Sequence, residues 1–314
     1  MTALDRILTT AKGLDRHIIL SEGDDPRVAE AARRITGQGL ARITLMNGPE
    51  IAGTTRILPA EAPDLAELAD HWHHMRAARG MTGPRALEEM RDPIRQAAMR
   101  VRLGQADGTV GGAVATTADT VRAALQIIGR APDASIVSSF FLMEGAGHAP
   151  MIFADCALVI MPEAEELAAI ARAAAQTCRK VLGAVPRVAL LSFSTAGSAE
   201  HSSLKRIREA RDIVRATEPG LEIDGEIQFD AALDPAVRMR KAPDSPLSGP
   251  ANVFVFPDLA SGNIGYKIAQ RLGGLSAVGP VLQGMAKPAN DLSRGCDADD
   301  IVAVTAITAL QSAG

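Results

Sequence analysis

A repeated change of period along the chain limits the possible folds more than any other feature. Short runs of β-forming apolar residues, "HIIL" at 17–20 and "RITLM" at 42–46, flank a segment of helical spacing, "SEGDDPRVAEAARRITGQG". The pattern continues through "ADGTV" and "RVALLSF" to "NVFVFPD", an unbroken apolar run of the kind buried on both faces of a parallel sheet. Strands that alternate with helices predict an α/β fold. At 314 residues the chain is long enough for one large or two ordinary domains. Aromatic residues are only 3% of it, so the core must be built from Ala, Leu, Ile and Val.

Local signals place the helix starts. Asp25 reads as a cap with Pro26 at the first helical position. The turn before it is acidic, not glycine-rich, so the dinucleotide fingerprint is absent where a Rossmann domain usually carries it. Residues 64–79 predict a helix ended by Gly80, and 84–103 predict further helix. "GGAVATTADTVRAALQII" then offers two glycines, Thr116 or Thr117 as a cap, and Arg122 in the early turns. A strand, a glycine turn, hydroxyls and a helix start can cradle a phosphate, but the same elements make an ordinary α/β turn. Beyond residue 132, "ASIVSSFFLM" and "APMIFADCALVIMP" predict two β segments joined by "EGAGH". A long helix follows over 162–182, with Cys178 on its apolar face. Ser194, Thr195, Gly197 and Ser198 either line a ligand cleft or cap a helix. "IDGEIQFDAAL" reads as a strand leading into a loop, and 261–272 as a helix.

The stretch from Gly279 onward reads as a loop that ends on a helix. Asp297 is its N-cap, and Ile301, Val304, Ile307 and Leu310 recur at helical spacing. Lys287, Ser293 and Arg294 stand just before this start, where polarised N–H groups attract anions. A hydroxyl, a guanidinium and the Asp300 carboxylate so close together suit one reacting centre. The plainer alternative has Asp300 capping the helix while Ser293 and Arg294 close a turn.

Composition excludes several classes. A net charge of −4 argues against a general nucleic-acid surface. No apolar run approaches the ~18 residues of a membrane span. The first residues lack a signal-peptide core. Cys156, Cys178 and Cys296 are too few and scattered for a disulfide framework, and no CxxC spacing suggests structural zinc. These points predict a reduced cytoplasmic enzyme. His71, His73 and His74 invite a metal reading, yet no acidic or cysteine partner completes a ligand pattern, and a helix surface beside Trp72 suits them better. His148, in the loop "EGAGH", offers a catalytic reading, but a surface histidine suits it better.

"KPANDLSRG" followed by "DDIV", with "VFPDLASGNIGYKIAQRL" upstream, closely resembles the phosphotransacetylases (phosphate acetyltransferases). "LGQADGTVGGA", "TADTVRAALQII", "VSSFF", "LSFSTAGSA" and "IDGEIQFDAAL" follow in the family's order, so the similarity spans nearly the whole chain. It implies two α/β domains with an interdomain active-site cleft, in the manner of isocitrate and isopropylmalate dehydrogenases. The first domain would comprise 1–132 plus 280–314, the second 133–279, in a homodimer. The implied reaction moves an acetyl group reversibly between acetyl phosphate and coenzyme A, which is substrate and not a resident cofactor.

Within that resemblance Asp300 accepts or orients the thiol proton, and Arg294 serves the departing phosphate or the oxyanion. Ser293 donates to the tetrahedral intermediate or acts as a covalent nucleophile; no paired histidine supports the latter. Arg76, within "MRAARG" beside Arg79, and Arg122 match arginines that handle coenzyme A; Thr116 and Thr117 fall in the cradle, and Lys287 and Asn290 are candidates for phosphate contact. Related folds bind metal through carboxylates such as Asp224, Glu226 and Asp230, but the chain resembles the metal-free branch. It departs from the family at Gly111 and Ala115, where serine and histidine are common, and this leaves the acyl preference open. Phosphobutyryltransferase is the nearest alternative, and a non-catalytic acetyl-CoA-sensing domain the next. A helix start should lower the Asp300 pKa while burial should raise it, and the sequence does not decide between them.

Overall fold

The runs expected as strands form strands. In the computed structural model, which describes residues 2–145 and 147–313, the first elements are α1 (Ala3–Lys12), β1 (His17–Leu20), α2 (Pro26–Gly37), β2 (Arg42–Met46), β3 (Thr54–Ile57), α3 (Leu65–Arg76), α4 (Gly83–Glu89), α5 (Pro93–Arg102), β4 (Gly108–Gly111) and α6 (Thr117–Ile127). Then come β5 (Ser138–Gly145), β6 (His148–Ala154), α7 (Ala164–Thr177), β7 (Arg187–Leu191), α8 (Ser202–Thr217), β8 (Glu222–Ile227), α9 (Phe229–Leu233), α10 (Pro235–Lys241), β9 (Val253–Val255), α11 (Leu259–Arg271) and β10 (Ser276–Gln283). The chain closes with β11 (Ala289–Asp291) and α12 (Ala298–Gln311).

These elements form two units, Met1–Pro132 with Met285–Gly314 and Asp133–Gly284. The first holds a five-stranded sheet in the order β11-β4-β1-β2-β3, parallel throughout. Helices α1, α2 and α12 pack together, while α3 to α6 supply most of a separate apolar cluster around Trp72, Leu68 and Met99. The second unit has a six-stranded sheet, β10-β5-β6-β9-β7-β8. Its β10–β5 and β5–β6 pairs are antiparallel and the rest parallel.

Several sequence expectations need correction. The further helix expected over 84–103 is present as α4 and α5, divided where Asp92 caps α5 and Pro93 opens it. The loop expected from Gly279 begins instead as the second half of β10, whose Val281, Leu282 and Gln283 pair with Phe140, Ser139 and Ser138. Residues 280–284 therefore lie in the second unit's range, not the first's. Two short helices, α9 and α10, follow β8 where a loop was expected. The β segment beginning at 149 ends at Ala154, and α7 begins at Ala164 behind a Glu163–Glu166 capping box. Part of the "EGAGH" turn, Ala146, lies outside the described residues.

Candidate active site

In the first unit all strands are parallel, so the loops leaving their carboxyl ends share one edge of the sheet. The chain runs outward from β1 to β2 on one side and meets β4 on the other, which makes β1/β4 a switch point where open α/β sheets place ligands. Three loops leave that edge side by side: 21–25 after β1, 112–116 after β4, and 292–297 after β11. Each leads into a helix, α2, α6 or α12, whose positively polarised start lies on the same edge.

The loops are tied to one another. The Leu292 N–H donates to the Gly111 carbonyl at 2.7 Å. The Arg27 guanidinium donates to the carbonyls of Ala113 (2.8 Å), Arg294 (2.8 Å) and Cys296 (2.9 Å), while Asp25 pairs with its other side at 2.8 Å. Glu22 accepts from the backbone N–H groups of Ala113, Val114 and Ala115. Gly112 is required here: its φ is +95°, and a Cβ would lie 2.2 Å from Asp291 Oδ1 and 2.9 Å from the Leu292 nitrogen. At Gly111 a Cβ would lie 2.3 Å from Ser21 Oγ, so Ser21 occupies the space that a serine at 111 would need.

Within this frame Ser293 and Arg294 are both exposed. Ser293 Oγ accepts from the Gly295 N–H at 3.3 Å, which matches a turn-closing role and leaves the hydroxyl proton free to donate. The Arg294 guanidinium makes no hydrogen bond or ion pair among the described residues. Asp300 is the third residue of α12 and forms a reciprocal capping box: its N–H donates to Asp297 Oδ1 (2.9 Å), and its own Oδ2 accepts from the Asp297 N–H (3.1 Å). Burial raises the Asp300 pKa above the usual carboxylate value; the Asp297 N–H opposes this and the charges of Asp297 and Asp299 reinforce it. Burial therefore outweighs the Asp297 N–H bond. Cys296 is buried beside them, and that burial pushes its thiol up to about 11, so it stays protonated near neutral pH and is no rival nucleophile.

The remaining candidates sort by what already holds them. Thr116 is the N-cap of α6: its Oγ1 accepts from the Asp119 N–H at 3.2 Å and donates to Asp119 Oδ2 at 2.7 Å. Thr117 is half-buried and faces Asp291. Arg122 pairs with Asp119 at 2.7 Å on the exposed face of α6. Arg76 ends α3 with its guanidinium 5.3 Å from the Trp72 ring centre. Lys287 donates to the carbonyls of Val101 (2.8 Å) and Arg102 (3.4 Å), closing the end of α5 instead of facing the loops. Asn290 is 1% exposed, and its amide donates to Thr308 Oγ1 (2.8 Å) and Gln311 Oε1 (2.7 Å) of α12. Because side chains alternate along β11, Asn290 faces α12, whose Thr308 and Gln311 hold its amide, so the geometry does not favour the phosphate contact expected for it.

Sequence reasoning missed Asp291, its neighbour on the opposite face. This carboxyl is wholly buried, and neither oxygen receives a well-formed hydrogen bond. Burial raises its pKa to about 6; the hydroxyls of Thr117 and Thr120 hold the rise back and the charge of Glu22 adds to it. The only sequence signal was an ionisable residue in a β segment bounded by Ala289 and Leu292.

In the second unit the acids considered as metal ligands each have a cation. Burial raises the Glu226 carboxyl, but Arg208, Ser194 Oγ and the Gly197 N–H together bring it down to about 2. Asp230 pairs with Lys241 at 2.7 Å and Asp224 with Arg215 at 3.5 Å. Ser194 and Ser198 thus build the turn around Glu226. No group of three or more His, Cys, Asp or Glu arranged for a metal occurs among the described residues, and His74 Nδ1 lies 2.7 Å from the Asp70 carbonyl. No described helix is long and apolar enough to cross a membrane.

Known proteins share this fold. The phosphate acetyl/butaryl transferase family model matches residues 2–309. A phosphate acetyltransferase of Paracoccus denitrificans is 74% identical over 99% of this chain and 100% of its own length. A phosphotransacetylase from Streptococcus pyogenes superposes with a TM-score of 0.91 at 42% identity, covering 98% of each chain. The EutD phosphotransacetylase from Staphylococcus aureus gives 0.90 at 40% identity, covering 99% of this chain and 98% of its own. Full-length agreement in sequence and in both α/β units leaves one conclusion: the chain belongs to the phosphate acetyl/butaryl transferase family.

Proposed function

We propose that this acyltransferase moves an acetyl group between acetyl phosphate and coenzyme A by direct attack of the thiol. The sulfur bonds to the acetyl carbonyl carbon, the bond from that carbon to the phosphate oxygen breaks, and the phosphate leaves with the electron pair. Asp300 accepts or orients the thiol proton. A free thiol has a pKa near ~8.5, so a carboxylate raised by burial has less of a gap to bridge than an ordinary one. Ser293 donates to the oxyanion of the tetrahedral intermediate.

One observation carries the reading. Of the candidate cations, Arg122 is paired with Asp119, Lys287 with carbonyls and Arg76 with an aromatic face, whereas the Arg294 guanidinium has no partner among the described residues. An unpaired guanidinium at a helix-start edge suits a departing phosphate. Arg76, Arg122, Thr116 and Thr117 are assigned to coenzyme A, and no resident cofactor or metal is required. The enzyme works as a cytoplasmic homodimer, which sedimentation at working concentration checks.

A thioester-absorbance assay with acetyl phosphate and coenzyme A tests the function. Arg294→Ala and Asp300→Asn should each lower turnover by about tenfold or more with the fold retained, the scale of one lost charge-assisted contact. Near-normal turnover in either variant removes that residue from the mechanism. Initial rates with acetyl, propionyl and butyryl phosphate decide whether Gly111 and Ala115 shift the preference toward a larger acyl group.

A further inference from the structure

The turn after β1 does more than start a helix. Its Glu22 carboxylate accepts from three successive backbone N–H groups: Ala113 at 2.7 Å, Val114 at 3.2 Å and Ala115 at 2.7 Å. Consecutive N–H groups converging on one point form a nest for an anion. This is the turn whose glycines and hydroxyls read as a phosphate cradle, and the chain's own carboxylate already fills it. Arg27, five residues on, holds the carbonyl side of the same turn through Ala113 and holds the Arg294 and Cys296 carbonyls of the neighbouring loop.

We propose that Glu22 is a positioning residue for the transfer reaction, an internal anion that occupies the 113–115 amides and fixes that turn against the loop bearing Ser293 and Arg294. The amides are then unavailable to the substrate phosphate, which is left to Arg294. A substrate anion would enter and leave with every turnover, whereas a tethered carboxylate keeps the turn in one shape throughout. The inference rests on the acetyl-transfer reading above, and the test separates the two.

The parent enzyme is assayed first; absence of acetyl transfer there refutes that reading, and Glu22 is judged only on an active parent. In the full chain, Glu22→Ala should lower kcat by about tenfold or more, with the KM for coenzyme A within about twofold and the thermal transition preserved. Added formate should restore much of the lost rate, because a small carboxylate refits the three amides, while chloride at equal ionic strength should not. Glu22→Gln keeps the side-chain shape but gives up the charge; it should be intermediate in kcat and indifferent to formate. An Ala variant with parental kcat overturns the proposal. So does a folded Ala variant whose deficit formate leaves untouched. Should Glu22→Ala fail to fold, the Gln variant decides, and parental kcat in it overturns the proposal equally.

Discussion

Replacing Asp291 with asparagine should shift relative stability toward the variant as the pH rises. Asp291 ends β11 with no exposure and no well-formed hydrogen bond to either oxygen, and its pKa stands at about 6 against an ordinary value of 3.8. A difference of that size corresponds to about 3 kcal/mol between the two protonation states. The sign follows from where the proton goes. Well below pH 3.8 the carboxyl is neutral in both the folded and the unfolded chain, and there is no penalty. As the pH rises the unfolded chain ionises first, so stability falls and levels off only above the folded pKa of about 6. Roughly half of the loss has accrued by pH 5, leaving about 1.4 kcal/mol to develop between pH 5 and 8. Asparagine cannot ionise, so the stability difference between Asp291→Asn and the parent should shift in favour of the variant by about 1.4 kcal/mol over that interval. Whatever the amide loses through unmatched N–H groups is the same at every pH and cancels from the slope. Urea unfolding of both proteins at pH 5, 6, 7 and 8 measures it, and groups shared by the two also cancel. A stability difference that stays flat from pH 5 to 8 would refute the buried, unpaired carboxyl.

Three further outcomes follow from the loops and caps. The acid limb of kcat/KM should lie above the usual carboxylate range, because burial raises Asp300, and it should disappear in a residually active Asp300→Asn; a limb unchanged by the substitution assigns it elsewhere. Lys287→Met should cost about 0.5–1 kcal/mol of stability through the α5 terminus and leave the KM for acetyl phosphate unchanged, whereas a raised KM would return Lys287 to the phosphate. Gly112→Ala should destabilise by about 2–4 kcal/mol in denaturant titration, since it combines a positive φ with a Cβ driven against Asp291 and the Leu292 backbone; a change under about 1 kcal/mol shows that the loop yields.

What the sequence disclosed was mostly local. β1, β2 and the α2 cap are legible because apolar runs, Asp25 and Pro26 act on their own neighbours. Thr116 and Asp297 are legible as caps for the same reason. Pairing over long distance is not. Strand β3, "TTRI", is too polar to stand out and is strand only because Ile43 to Met46 lie alongside it. Half of β10 hid behind Gly279 and Pro280, which read as breakers but sit at an irregularity in its pairing with β5. The motif "KPANDLSRG" marks the proposed site, yet it gives no warning that Asn290 and Asp291 face opposite ways or that Lys287 serves α5. Those assignments depend on which helix covers which face of the sheet.

The charge around the three loops resolves a difficulty that the sequence raises. The site proposed for two anionic substrates is ringed by acids: Glu22, Asp25, Asp291, Asp297, Asp299 and Asp300. Taken as free charges they would repel phosphate, but the structure withdraws most of them. Glu22 is held by three amides, Asp25 by Arg27, and Asp299 by Arg34. Asp297 caps α12. Asp291, with a pKa of about 6, carries a proton for part of the accessible range and is screened from the surface by Gly112 and Leu292. Two exposed or half-exposed groups are left to act outward, the unpaired Arg294 and an Asp300 of raised pKa. The neutralising contacts therefore matter as much as Arg294 and Asp300, the pair proposed to react. Releasing Asp25 by substituting Arg27 should weaken phosphate binding even though neither residue need touch it, and the loss should shrink at high salt, where repulsion acting through solvent is screened within about 3 Å at 1 M. A loss that is independent of ionic strength would assign the effect of Arg27 to loop geometry alone.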